Sequence, residues 1–144
     1  MITVAVSGGF DPVHVGHIRS MKEAKKIGDK LMVILTRDDQ LIQKKGYYFM
    51  PYEERKEILE SIAGVDRVVP NIDAGITSNG SLEYYRPDVF AKGGDRTEDK
   101  MPEVEKMICA KIGCEIVYGV GGDKIQSSSS LVKRSNAFRS KVLA

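Results

Sequence analysis

Residues 2–27 constrain the fold more than any other stretch. Ile2-Thr3-Val4-Ala5-Val6 is a short apolar run that reads as a buried strand. Val15 to Ile27 is amphipathic at helical spacing. Between them lies Ser7-Gly8-Gly9-Phe10-Asp11-Pro12-Val13-His14-Val15-Gly16-His17. The stretch predicts a strand–loop–helix unit with both histidines at the first helical turn. A helix start presents unpaired N–H groups and the positive end of the dipole, which suits phosphate. Gly8 and Gly9 remove side chains where backbone must approach a ligand closely. His14-x-x-His17 puts both imidazoles on one helical face, and Gly16 clears room beside them. A two-histidine metal site lacks a third ligand at recognisable spacing, and His-Glu-x-x-His is absent. The stretch therefore reads as a phosphate cradle with two imidazole donors above it, and no protein-held metal is expected.

The 144 residues, 42% hydrophobic, suffice for one domain with a real core, taken as residues 1–144. The balance of 22 basic and 20 acidic residues argues for neither a nucleic-acid nor a membrane partner. Cys109 and Cys114 do not form a C-x-x-C, so free thiols in a reducing compartment are expected. No signal peptide or long apolar run is visible, and a cytoplasmic location is expected.

Further strands are expected at Lys30–Thr36, Val65–Pro70, Asp88–Lys92 and Glu115–Tyr118. Helices are expected from Pro51 to about Ile62, over Ser81–Arg86, over Pro102–Ile112 and after Ser127. Arg37–Lys45 reads as a polar connection, and Asn71–Gly80 as a loop. The third of these helices should present Val104, Met107, Ile108 and Ile112, and the last Leu131, Val132, Phe138 and Val142. Alternating strands and helices predict an α/β fold, a five-stranded mostly parallel sheet covered on both faces.

The Gly-x-Phe-Asp-x-x-His-x-Gly-His pattern after a first strand resembles the signature of the HxGH nucleotidyltransferase superfamily, specifically its cytidylyltransferase-like family. The resemblance covers roughly Thr3 to Val142 and implies a Rossmann-like nucleotidyltransferase fold. It implies catalytic roles for His14, His17 and a phosphate-contacting lysine, either Lys44 or Lys45. It implies nucleotide contacts from Gly8, Gly9, Phe10, Asp11 and Gly16. Lys92-Gly93-Gly94-Asp95 matches the family's Lys-Gly-x-Asp stretch, so Lys92, Gly93 and Asp95 join the nucleotide set. Ser128, Ser129 and Ser130, before an apolar-faced helix, resemble the family's serine-bearing helix start, with Lys124 as a nearby basic residue. Arg55 would meet the acceptor's phosphate, where a guanidinium bonds bidentately.

The activity implied is attack of a phosphorylated small molecule on the α-phosphorus of a nucleoside triphosphate, with pyrophosphate leaving. Such transfer needs positioning and charge stabilisation more than covalent chemistry. Mg²⁺ is expected as cofactor, held through the nucleotide phosphates. Ser-Ser-Ser-Leu-Val-Lys looks like an adenylyltransferase, so ATP is favoured, and Arg86-Pro87-Asp88-Val89 looks like the nucleotidyl domain of ADP-heptose synthase, so a sugar phosphate is favoured as acceptor. CTP with a glycerol-3-phosphate type acceptor, and FAD synthetase activity, are the alternatives. A homodimer is expected from the same resemblance. A non-catalytic nucleotide-binding module is the competing class, because fold alone does not decide activity. A dinucleotide dehydrogenase is excluded, since Gly-x-Gly-x-x-Gly is missing from the first turn.

Overall fold

The computed structural model describes residues 1–93, 97–122 and 126–143, the last five of these by backbone alone. Five strands form one sheet: β1 Thr3–Gly8, β2 Lys30–Leu35, β3 Arg67–Pro70, β4 Val89–Gly93 and β5 Glu115–Val120. Their order is β3-β2-β1-β4-β5, and every pairing is parallel. Six helices connect or follow them: α1 Val15–Lys25, α2 Asp38–Lys45, α3 Tyr52–Glu60, α4 Asn79–Tyr85, α5 Glu103–Ile112 and α6 Ser128–Leu143. A 3-10 turn, Glu98–Lys100, precedes α5.

The strands read as near-continuous apolar runs because helices cover both faces. Val4 and Val6, Leu31, Val33 and Leu35, Val68, and Val89 and Ala91 join one core with Met21 and Ala24 of α1 and Leu59 of α3. Ala5, Met32 and Ile34, Val69 and Phe90 point the other way, onto Leu82 of α4 and Cys109 of α5. The period-2 alternation of a strand thus assigns each residue to a layer.

The strand order reverses direction between β1 and β4. In open α/β sheets that switch point opens a crevice at the carboxyl ends of the strands. Here those ends are Gly8 and Gly93.

Three sequence expectations change. The polar connection 37–45 is a helix, α2, with acids Asp38 and Asp39 in its first turn and Lys44 and Lys45 in its last. In α5 the inward stripe is Glu105, Ile108, Cys109 and Ile112, whereas Val104 and Met107 are exposed. Spacing of three, one and three residues is one helical face, but a charged residue at its head hides it. Phe138 of α6 is exposed rather than packed. Cys109 and Cys114 are buried and unlinked, and burial pushes both thiols up, Cys114 to about 12.

Candidate active site

The start of α1 is built by its two histidines. His14 is the N-cap, and its Nδ1 accepts from the Gly16 amide at 3.1 Å. His17 reaches back, and its Nδ1 accepts from the His14 amide at 3.1 Å. This is a capping box made of two imidazoles, where Ser or Thr with Glu or Gln is usual. An imidazole nitrogen that accepts carries no proton, so each neutral ring carries its hydrogen on Nε2. The helix cap therefore fixes both tautomers and leaves both rings as Nε2–H donors. The rings stack at 3.7 Å and 23°. Burial, with the neighbouring His14 charge adding to it, lowers His17 from 6.5 to about 4. His17 is thus a neutral donor throughout the physiological range.

Phe10 stands between this pair and the sheet. Its ring meets His17 edge-on at 4.8 Å, and a Cβ on Gly8 would come within 3.3 Å of it. The ring belongs to the core and packs against His17. A cleft of about 350 Å³ opens at the switch point, reached by the histidine loop through Gly8 and Gly9 rather than by the imidazoles themselves. Gly8, Gly9, Lys44 and Lys92 line it, as do Gln40 and Asn79, which sequence reasoning did not single out. A Cβ on Gly9 would sit 2.9 Å from the end of the Leu41 side chain of α2, so a larger residue there would make Leu41 shift.

Lys92 enters this cleft at the end of β4, where its Nζ lies 3.1 Å from the buried Glu105 carboxylate and 4.4 Å from the centroid of the Phe90 ring. The space beside Gly93 is taken by protein, since a Cβ there would meet Ser20 Oγ and the Val120 carbonyl at 3.3 Å each. Gly93 therefore packs closely between β4, α1 and β5 on that side. Asp95 and Lys124, together with Gly94, lie outside the described residues.

Three charged residues assigned to ligands hold a loop instead. Asp11 is completely buried, and its carboxylate accepts from the amides of Phe49 and Met50 at 2.6 Å each. Lys45 donates to the Asp11 carbonyl at 3.2 Å, lies 3.6 Å from its carboxylate and sits 4.8 Å over the Tyr47 ring. Arg55 has no exposed side-chain surface. It donates to the carbonyls of Met50, Gly9 and Thr36 at 2.8, 2.9 and 2.7 Å, and to Asp38 at 2.6 Å. Arg55, expected to meet the acceptor phosphate, here joins the β1 loop, the end of β2, α2 and the loop before α3. Lys44 is exposed and lines the cleft, whereas Lys45 lies against Asp11.

The far wall of the cleft is the loop 71–79, ordered by a buried polar network. Gln40 donates to Asn71 Oδ1 and to the carbonyls of Asp73 and Gly75. Arg37 donates to the carbonyls of Asn71 and Asp73. Burial pushes the Asp73 carboxyl up, but hydrogen bonds from the hydroxyls of Thr77 and Ser81 and the amides of Gly80 and Ser81 outweigh it and hold the group below the usual range. The i, i+2 pairing of Asn71 with the Asp73 amide at 2.8 Å is an Asx turn, a local signal the sequence did carry.

The serine run caps α6. Ser127 Oγ accepts from the Ser130 amide at 3.0 Å, and Ser128 Oγ donates to the Pro12 carbonyl at 2.7 Å. That second bond brings the α6 start against the histidine loop across 116 residues of sequence. Ser129 and Ser130 remain exposed there. Among the described residues no helix is long and apolar enough to cross a membrane.

Comparison with known proteins agrees with this geometry. Residues 5–135 match the model of a family described as cytidylyltransferase-like. An FAD synthase of Pyrococcus abyssi is 38% identical over 137 residues, covering 92% of this chain and 91% of the relative. A glycerol-3-phosphate cytidylyltransferase of Staphylococcus aureus is 40% identical over 97 residues, 66% of this chain and 71% of that one. A crystal structure of a lipopolysaccharide core biosynthesis protein from Thermoplasma volcanium superposes with a TM-score of 0.70 at 29% identity, covering 82% of this chain and 95% of the other. A parallel sheet with its crevice at β1 and β4, a histidine-built helix start beside it and a family match over most of the length lead to one assignment: the chain belongs to the cytidylyltransferase-like family of nucleotidyltransferases.

Proposed function

We propose that this chain transfers an adenylyl group from ATP to the phosphate of flavin mononucleotide. An acceptor phosphate oxygen attacks the α-phosphorus, the bond from α-phosphorus to the bridging oxygen breaks, and pyrophosphate leaves with that electron pair. The observation that carries the transfer chemistry is the doubly occupied Nδ1 pair, which presents two Nε2–H donors. Donors preset where charge develops lower the barrier without reorganising during the reaction. Lys44 would neutralise the triphosphate from the cleft wall, and exposed Ser129 and Ser130 would offer hydroxyls at the α6 start. Mg²⁺ would enter on the phosphates; among the described residues no three His, Cys, Asp or Glu side chains converge to hold an ion by themselves.

Flavin mononucleotide is preferred as acceptor because the FAD synthase relative matches over nine-tenths of both chains. A sugar phosphate is the second reading, favoured by the Arg86-Pro87-Asp88-Val89 stretch and by the lipopolysaccharide core protein that shares the fold. CTP as donor is favoured only by the cytidylyltransferase relative. The test is pyrophosphate release with ATP or CTP against flavin mononucleotide, a heptose phosphate and glycerol 3-phosphate. Release with ATP and the flavin is expected, and release only with CTP or only with a sugar acceptor overturns the assignment. In the active pair His14→Ala and His17→Ala should each lower turnover about 100-fold or more, with ATP affinity little changed. Near-wild-type turnover of both variants would refute the donor role.

A further inference from the structure

Tyr47, Tyr48 and Phe49 are 37%, 42% and 58% exposed, and among the described residues they form the only run of three consecutive exposed large apolar side chains. None of them belongs to either core. Exposed aromatic side chains gathered in one loop are suited to an interaction. What holds this loop is unusual for a surface connection. Asp11 grips the amides of Phe49 and Met50, Arg55 grips the Met50 carbonyl, and Lys45 links Asp11 to the Tyr47 ring. Asp11 and Arg55 are both buried, and Asp11 lies three residues before His14. Lys44, which lines the cleft, lies three residues before Tyr47. A loop needed only to join α2 to α3 would not require buried charge to fix its place beside the transfer site.

We infer that Tyr47, Tyr48 and Phe49 form a shelf on which the planar ring system of the acceptor stacks. This rests on the transfer to flavin mononucleotide proposed above. The acceptor has a phosphate at one end and a flat tricyclic ring at the other. With its phosphate held at the imidazole pair, the ring needs an aromatic surface outside the nucleotide cleft, and the shelf is tethered to the same loop that carries the histidines. Area separates this occupant from a second copy of the chain. The exposed fractions of three aromatic side chains amount to about 300 Å². That suits one face of a fused ring and falls well short of the roughly 800 Å² per partner of a stable protein interface.

The test compares the wild type with a variant carrying Tyr47→Ser, Tyr48→Ser and Phe49→Ser, and with a variant carrying leucine at all three positions. Flavin mononucleotide and ATP are titrated separately by calorimetry, adenylyl transfer is followed by pyrophosphate release, and mass is measured by sedimentation. The side chains are exposed, so the urea midpoint should hold. Loss of about tenfold or more in flavin affinity in both variants is expected, since leucine keeps apolarity and removes stacking. ATP affinity should stay within about twofold of wild type. Equal flavin affinity and turnover in the serine variant overturns the shelf and leaves the flavin reading standing. A wild type that neither binds nor adenylylates flavin mononucleotide overturns that reading itself. A change from dimer to monomer with flavin affinity intact makes the shelf a subunit contact and also overturns it.

Discussion

Replacing Arg55 by methionine separates a structural guanidinium from a ligand-binding one. Its bonds end on the carbonyls of Gly9, Thr36 and Met50 and on Asp38, and its side chain has no exposed surface. Methionine fills most of the volume but leaves three carbonyls without a donor. Each buried acceptor left unpaired costs about 1–3 kcal/mol. Asp38 is 32% exposed and can recover water, so its share is small. A total of about 4 kcal/mol follows, in the range for breaking a buried pair by removing one partner. Against a domain stability of about 5–15 kcal/mol this is a large fraction. At a urea slope of about 2 kcal/mol/M the unfolding midpoint should fall by about 2 M. Arg55→Lys keeps the charge and one or two of the bonds, and should lose about half as much. Far-UV circular dichroism in a urea series measures both. Unchanged midpoints in both variants, with a raised KM for the phosphorylated acceptor, would refute the structural role and restore phosphate contact.

Two further outcomes follow from the site. His17 stays neutral in the folded protein down to about pH 4, whereas the unfolded chain takes that proton near 6.5. The unfolded state therefore binds more protons between those values, and stability should fall as pH drops from 6.5 toward 4, by no more than about 3 kcal/mol and less for solvent access. An NMR titration showing a His17 ring midpoint near 6.5 would contradict this. The two adjacent lysines should behave differently: Lys44→Ala should raise the nucleotide KM with the urea midpoint unchanged, while Lys45→Ala should lower stability by about 1–2 kcal/mol by leaving the buried Asp11 with its two amide bonds and no nearby cation. Identical effects of both variants on KM would show that the burial of Lys45 does not decide its role.

The central strands β1, β2 and β4 were legible because they carry runs of buried apolar residues, and the less buried edge strands β3 and β5 because Val68-Val69 and Ile116-Val117 still stand out between turn residues. The helix α2 was hidden for the opposite reason. Its burial rests on Leu41 and on Gln40, a polar side chain whose partners sit about 30 residues away at Asn71 and Asp73. Acids at its start and lysines at its end were local signals, but without an apolar stripe they suggest a solvated connection. The histidine pattern was legible because its spacing is short-range. What Asp11, Lys45 and Arg55 contact was not, because a carboxylate or guanidinium reads the same whether it faces a ligand or a backbone carbonyl. That choice is made by tertiary packing, as when α3 carries Arg55 under the loop after β1. Glu105 was missed likewise, as a charged residue at an inward helical position whose partner, Lys92, lies on another element.

The double-histidine cap bears on how such a chain can change over time. The bonds that start α1 need only an acceptor at position 14 and another at position 17. Aspartate or asparagine at the first and glutamine at the second make the ordinary form of the same cap. Each of these codons lies a single base change from a histidine codon. The folded domain can therefore lose its imidazoles without losing its helix, and a sister chain that only senses nucleotide is separated from a catalyst by two substitutions that leave the scaffold intact. Histidine at both positions is more than the helix demands.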